Sequence, residues 1–360
     1  MPQAIEVHEL DQLGWGADFE REFQQHAATG LVPGRVAVQH RGAYDVYTEH
    51  GEVRAGLPGR LLHDAADSAD LPAVGDWVAL EVPDTGSATI RAVLPRRTSF
   101  VRTAASDGHR VAEQQVVATN VDVVFLVSSL VDDLNARRLE RYLVLAWESG
   151  AQPVVVLTKA DLCPDLESAL TEIEPVTVGA PLHVVSNVTG EGIDELRPYF
   201  SGNRTVAALG SSGVGKSTLI NTLSGTEVAA TRDVRNDGRG RHTTTRRELL
   251  PVPGGGFFLD TPGMRELQLS DARSGVDEAF EDVSELATQC RFSDCAHDTE
   301  PGCAIREALR DGRLDAERWA SFKKLERELA ALERKLDARL RSEERKKWRR
   351  FARSQRKVSW

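Results

Sequence analysis

Residues 210–218, GSSGVGKST, place a lysine and a hydroxyl residue directly after a glycine-rich turn. The spacing fits G-x-x-x-x-G-K-[ST], the phosphate-binding loop of nucleotide hydrolases. In such a loop the backbone N–H groups from Ser211 to Lys216 wrap a β-phosphate at a helix N-terminus. Gly210, Ser211, Ser212, Gly213, Val214, Gly215, Lys216, Ser217 and Thr218 are therefore candidate nucleotide contacts. Lys216 would neutralise the β/γ oxygens, and the Ser217 hydroxyl would bind Mg²⁺. A plain glycine-rich strand-to-helix turn is the alternative reading.

Three further segments bear on the same site. DTPG, Asp260–Gly263, ends an apolar run. Asp260 there can hold Mg²⁺ through water, and the Gly263 N–H can sense a γ-phosphate. The stretch RNDGRGRHTTT precedes it and suits a switch loop, in which Thr244 would reach Mg²⁺ and the γ-phosphate. A simple turn and a simple flexible loop remain the alternatives for these two. TKAD, residues Thr158, Lys159, Ala160 and Asp161, fits a guanine reader. An Asp accepts from the base N1–H and amine, and adenine would leave that carboxylate unpaired. VSNVTGEG, with Ser186 and Asn187, would supply the adjoining base-edge contact.

Ras-like enzymes place a water-orienting Gln soon after D-x-x-G. Here Met264 follows DTPG, and the nearest replacement is His242 in RHTTT. A slow isolated enzyme is expected, with His242 productive only when a partner orders its loop. A bare polar loop residue is the other reading of His242.

A second constellation is C-x4-C-x-H-x5-C: Cys290, Cys295, His297 and Cys303, which holds three of the four cysteines. Tetrahedral Cys₃His zinc accounts for the crowding, and four protein ligands leave no open position, so one structural Zn²⁺ is expected. The spacing is not the commonest finger pattern. Cys163 stands apart.

The elements that must position these residues can be outlined. With 360 residues, 41% hydrophobic and 28% charged, the chain has room for two or three domains. The first residues show neither a basic nor an apolar leader. The longest apolar run, VDVVFLVSSLV, suits a buried strand rather than a membrane span. Four cysteines without an export signal fit a reducing cytoplasm. A helical lead over 1–33 is followed, over 34–105, by short alternating segments such as RVAVQH and GDWVALEV. They read as a small barrel, and a five-stranded OB barrel fits. Over 106–269 strand and helix alternate, which implies a mostly parallel sheet with ligand sites at the carboxyl ends of its strands. FFLDTPG and TVAALG are strands there, and GIDELRPYF a helix. Residues 270–360 carry the Cys/His cluster and a long helix from about Leu314.

Residues 318–360 hold 16 Lys+Arg and 6 Asp+Glu, a net +10, against −20 for the remainder. From Arg345 the tail has eight basic residues, no acidic ones, and Trp348, Phe351 and Trp360 between them. That composition suits RNA phosphates and unpaired bases; a solvated tail is the alternative.

The motifs run base reader, phosphate loop, switch, DTPG, whereas ordinary GTPases place the base reader last. The chain is thus expected to be multidomain: an N-terminal OB-type β-barrel, a central α/β circularly permuted P-loop GTPase domain and a C-terminal α-helical zinc-binding domain. In this order and in GRVAVQHRGAYDVYTEHGEV, VGDWVAL, RRLERYLVLA, TKADL, GSSGVGKSTLIN, GRHTTTRRELL, DTPGMRE and the cysteine cluster, it resembles the ribosome small-subunit-dependent GTPase A family. The resemblance implies GTP/GDP with Mg²⁺, late maturation of the small (30S) ribosomal subunit, contact with its 16S rRNA, and a cytoplasmic monomer that binds no membrane. Thr158 stands where many members have Asn. A non-enzymatic zinc- and nucleotide-dependent RNA-binding protein is the alternative from another class, and an ATP-using P-loop kinase is disfavoured by TKAD.

Overall fold

The computed structural model describes residues 9–59, 61, 68–103, 114–225, 247–260, 273–332 and 334. They fall into two compact units, one within residues 1–104 and 113–268 and the other within 269–360.

The first unit opens with a 3₁₀ turn, Leu10–Leu13, and helix α1, Ala17–Ala27, whose Phe19 and Phe23 are buried. Strands β1 (Val32–Gln39), β2 (Ala43–Thr48), β3 (Gly51–Gly56), β4 (Trp77–Glu81) and β5 (Ala88–Val93) follow. They close in the order 1-2-3-5-4-1; β3 and β5 run parallel, and the other barrel pairs antiparallel. Val36, Val46, Val78, Leu80 and Ile90 fill the interior, as alternation along each strand requires. This is the OB-type barrel. Strands β6 (Ser99–Thr103) and β7 (Gln114–Thr119) form a separate antiparallel pair.

From Val123 the chain builds a second sheet region: β8 (Val123–Ser129), β9 (Gln152–Thr158), β10 (Leu182–Val184), β11 (Thr205–Leu209), β12 (Glu248–Pro251) and β13 (Phe257–Asp260). The order is β10-β9-β8-β11-β13-β12, parallel except for β12. Helices α2 (Ala136–Ser149), α3 (Leu166–Ile173) and α4 (Lys216–Ser224) lie in its connections. Phe125, Val127, Val154, Val156, Leu196 and Val206 are part of the core beneath the site. The segment expected as a helix over GIDELRPYF is a 3₁₀ helix, Ile193–Phe200, with Pro198 inside it. Proline has no N–H to donate and its ring crowds the preceding turn, so the regular α-helical ladder is interrupted there.

Barrel and sheet are continuous. β1 pairs with β12 at Val38↔Glu248, and Tyr47 Oη donates to Leu249 O at 3.4 Å. Arg35 on β1 is 2% exposed and donates to Leu13 O (2.5 Å), Thr205 Oγ1 (2.6 Å) and Asn120 O (3.3 Å). Its guanidinium lies near the rings of Trp77 and Phe257. Burial pushes its pKa down to about 10, so it stays charged at neutral pH. These acceptors replace the water a buried cation would lose.

The second unit is helical: α5 (Arg273–Ala279), α6 (Glu281–Thr288), α7 (Ala304–Arg310) and α8 over 316–332. The helix read from about Leu314 begins two residues later, after Asp315, whose carboxylate accepts from Arg318 N at 2.8 Å. Arg318 is buried, paired with Asp282 at 2.6 Å and set over the Phe280 ring.

Candidate functional site

β11 lies between β8 and β13, so the turn that leaves it emerges mid-sheet. Gly210 passes hard against β8, and a Cβ there would overlap the Val127 carbonyl oxygen. Gly215 caps α4 with φ +96, in the region that favours glycine. Between them the loop turns into α4 with its N–H groups at the helix N-terminus. Lys216 Nζ donates to Gly210 O (2.8 Å) and to Ser211 O, which holds the ammonium across the loop. Ser211 to Ser217 are exposed or half-buried except Val214, which anchors the turn in the core.

Two loops converge on it from β9 and β10. Thr158 is fully buried, and its hydroxyl donates to Val214 O (2.6 Å) and Ser128 O (3.2 Å). It ties the end of β9 to the phosphate loop, where sequence alone reads it as a base contact. Lys159 takes a left-handed conformation, φ 62, and pairs with Asp132 at 2.9 Å. Asp161 is exposed and accepts from Ser186 Oγ at 2.5 Å. That oxygen also accepts from Val188 N and Thr189 N, so one serine shapes the VSNVTGEG turn around the carboxylate. Asn187 Nδ2 donates to Gly215 O at 3.4 Å. The TKAD loop, the VSNVTGEG turn and residues 210–218 are thus one hydrogen-bonded group.

Asp260 ends β13, one residue beyond the Ala207↔Leu259 pairing, and so stands beside the phosphate-loop strand. Gly263, His242 and Thr244 lie outside the described residues, as does the tail over 345–360.

In the second unit the four ligand atoms of Cys290, Cys295, His297 and Cys303 all lie within 4.8 Å of one another. Cys290 Sγ and Cys303 Sγ are 4.0 Å apart, and each is 3.5 Å from His297 Nδ1. Tetrahedral zinc with Zn–S of about 2.3 Å and Zn–N of about 2.0 Å requires S···S of about 3.8 Å and S···N of about 3.5 Å. The residues fit the ion. Burial raises the Cys290 thiol pKa, but the N–H groups of Ala304 and Ile305, at the start of α7, together with the neighbouring Cys295 and Cys303 thiols, hold it below its usual range. Burial, with the neighbouring Cys303 and Cys290, pushes Cys295 up to about 11. His297 takes φ 62 to turn its ring inward and meets the edge of Trp319.

Sequence reasoning missed three long-range links: the buried Arg35 and Thr158 ties and the exposed Lys159–Asp132 pair. Their partners lie far off along the chain and leave no local pattern. Among the described residues, no helix is long and apolar enough to cross a membrane.

A family model described as RsgA GTPase matches residues 93–270. The chain is 48% identical over 358 residues to the small ribosomal subunit biogenesis GTPase RsgA of Opitutus terrae, covering 96% of this chain and 97% of that protein. It is 47% identical over 327 residues to the protein of that name from Streptomyces avermitilis, covering 89% and 86%. Among solved structures it resembles YjeQ from Thermotoga maritima, with TM-score 0.63, 28% identity and coverage of 83% and 99%. It shares its fold with YloQ, described as a circularly permuted GTPase, at TM-score 0.60, 22% identity and coverage of 84% and 96%.

Proposed function

Because this chain belongs to the RsgA GTPase family, we propose that it hydrolyses GTP to GDP and phosphate at residues 210–218, in late maturation of the small (30S) ribosomal subunit. The observation that carries the site assignment is the convergence of TKAD and VSNVTGEG on the phosphate loop at the carboxyl ends of β9, β10 and β11. That is where an α/β sheet receives its ligand. Asp161 and the Ser186–Asn187 turn read guanine, the loop N–H groups and Lys216 hold phosphate, and Ser217, Thr244 and Asp260 would hold Mg²⁺. The metal would neutralise charge developing on the phosphates. His242 orients the attacking water once the subunit orders its loop, and Gly263 senses the γ-phosphate. The GTP-bound form holds the subunit and hydrolysis releases it.

The domain limits 34–105, 106–269 and 270–360 belong to the same reading. The Cys₃His cluster holds one structural Zn²⁺, the OB barrel and the basic tail contact 16S rRNA, and the protein works as a cytoplasmic monomer. Support comes from the sulfur and nitrogen spacings, the barrel topology and the tail's composition. Competition binding tests the nucleotide assignment. GTP and GDP should displace a labelled guanine nucleotide, and ATP should not; equal displacement by ATP would refute the base reader.

A further inference from the structure

The loop after β8 reaches the phosphate loop through one arginine. Leu130 N donates to Thr158 O at 3.0 Å, which keeps this loop beside the end of β9. Ser128 Oγ donates to Asp133 O at 2.6 Å, and the Asn135 side chain caps α2 by accepting from Arg138 N at 3.0 Å. Asp133 and Arg138 are thereby fixed on facing sides of one turn. The Arg138 guanidinium pairs with Asp133 and donates from the same Nη1 to Ser211 Oγ at 2.8 Å. The second Asp133 carboxylate oxygen is buried with no hydrogen-bond partner, so this carboxylate depends on Arg138 for compensation.

Ser211 directly follows Gly210, the residue that packs on Val127. It is held from two sides, at its hydroxyl by Arg138 and at its carbonyl by Lys216. For Lys216 to meet phosphate oxygens its ammonium must leave that carbonyl. The Arg138 bond then remains to keep Ser211, and the first N–H of the phosphate cradle, in place. A guanidinium suits this task, because the two N–H bonds of its planar Nη1 point in fixed directions at the two acceptors, whereas a lysine ammonium rotates freely on its stem.

We propose that Arg138 is a positioning residue for GTP hydrolysis, acting through Ser211 and itself held by Asp133. The assignment of residues 210–218 as the phosphate loop is its premise.

The test is a double-mutant cycle read by single-turnover GTP hydrolysis and by GDP affinity. Arg138→Ala and Ser211→Ala should each slow hydrolysis by about tenfold, and the double variant should be no slower than Arg138→Ala, as for two residues acting through one bond. Arg138→Lys should not restore the rate. Losses that multiply to about a hundredfold in the double variant, or a wild-type rate in Ser211→Ala, would overturn the proposal. If Arg138→Ala does not fold, Asp133→Asn releases Arg138 without leaving a buried anion. It should show the same loss, again without further loss on adding Ser211→Ala; multiplying losses there would equally overturn it. Lys216→Ala separates the premise from the proposal. Retained turnover in Lys216→Ala refutes the phosphate-loop assignment, whereas lost turnover with multiplying losses in the cycle refutes only the role of Arg138.

Discussion

Thr158→Val removes one hydroxyl from the junction of β8, β9 and the phosphate loop while keeping the side chain's shape. In the wild type that hydroxyl supplies a 2.6 Å bond to Val214 O and a longer one to Ser128 O, in a position with no solvent exposure. No water can replace the donor. A buried acceptor left without its partner costs about 1–3 kcal/mol. For a unit of roughly 250 residues each kcal/mol lowers Tm by about 2–4 °C, so Tm should fall by about 2–12 °C. Nucleotide affinity should fall too, because Val214 anchors the turn that presents the loop N–H groups. Thermal unfolding with and without saturating GDP measures both effects. Thr158→Ser keeps the hydroxyl and should recover most of each loss. A Thr158→Val protein as stable as wild type, with unchanged GDP affinity, would show that the Thr158 hydroxyl does not hold the loop. A Thr158→Ser protein as impaired as Thr158→Val would place the effect in methyl packing instead.

Lys216→Ala should abolish tight GTP binding or turnover while the far-ultraviolet spectrum stays native; unchanged turnover would move the chemistry elsewhere. Asp161→Asn exchanges an acceptor for a donor opposite the base, so preference should shift from guanine toward xanthine nucleotides, and competition binding that still ranks GTP first would remove Asp161 from base recognition. Elemental analysis should find one zinc per chain, lost in Cys295→Ser along with the fold of the C-terminal unit; metal-free protein with that unit intact would contradict a structural role. Deleting residues 345–360 should weaken small-subunit binding and flatten its dependence on salt, since each phosphate contact releases counterions; an unaltered slope would assign the tail to solvent.

The parts of the fold that a short window of sequence encodes were legible. Gly210 and Gly215 mark the phosphate loop because close approach and positive φ exclude side chains there. The four zinc-ligand candidates fall within fourteen residues, so no long-range fold was needed to see them. Alternation in the N-terminal strands announced a barrel, although its closure by a parallel β3–β5 pair shows only in three dimensions. The four-residue β12, Glu248–Pro251, was not legible. It begins with a charge, ends in proline and is too short to display a period. Arg35 reads as a strand's polar face, yet it is among the most buried side chains, because Leu13, Asn120 and Thr205 come from remote parts of the chain to accept from it. Thr158 shows the same limit within the site: spacing identified the motif, but only packing shows that its hydroxyl serves the phosphate loop.

In the proposed function, the small ribosomal subunit is the activator of this GTPase. Single-turnover GTP hydrolysis by the full chain, with and without purified small subunits, tests it most directly. Met264 follows DTPG in place of a water-orienting residue. The isolated protein should therefore be slow, on the order of unassisted Ras or below, and the subunit should accelerate it by about a hundredfold or more. His242→Ala should bind GTP and subunit normally and lose most of that acceleration. Equal rates with and without subunits in the wild type would show that the subunit is not the activator.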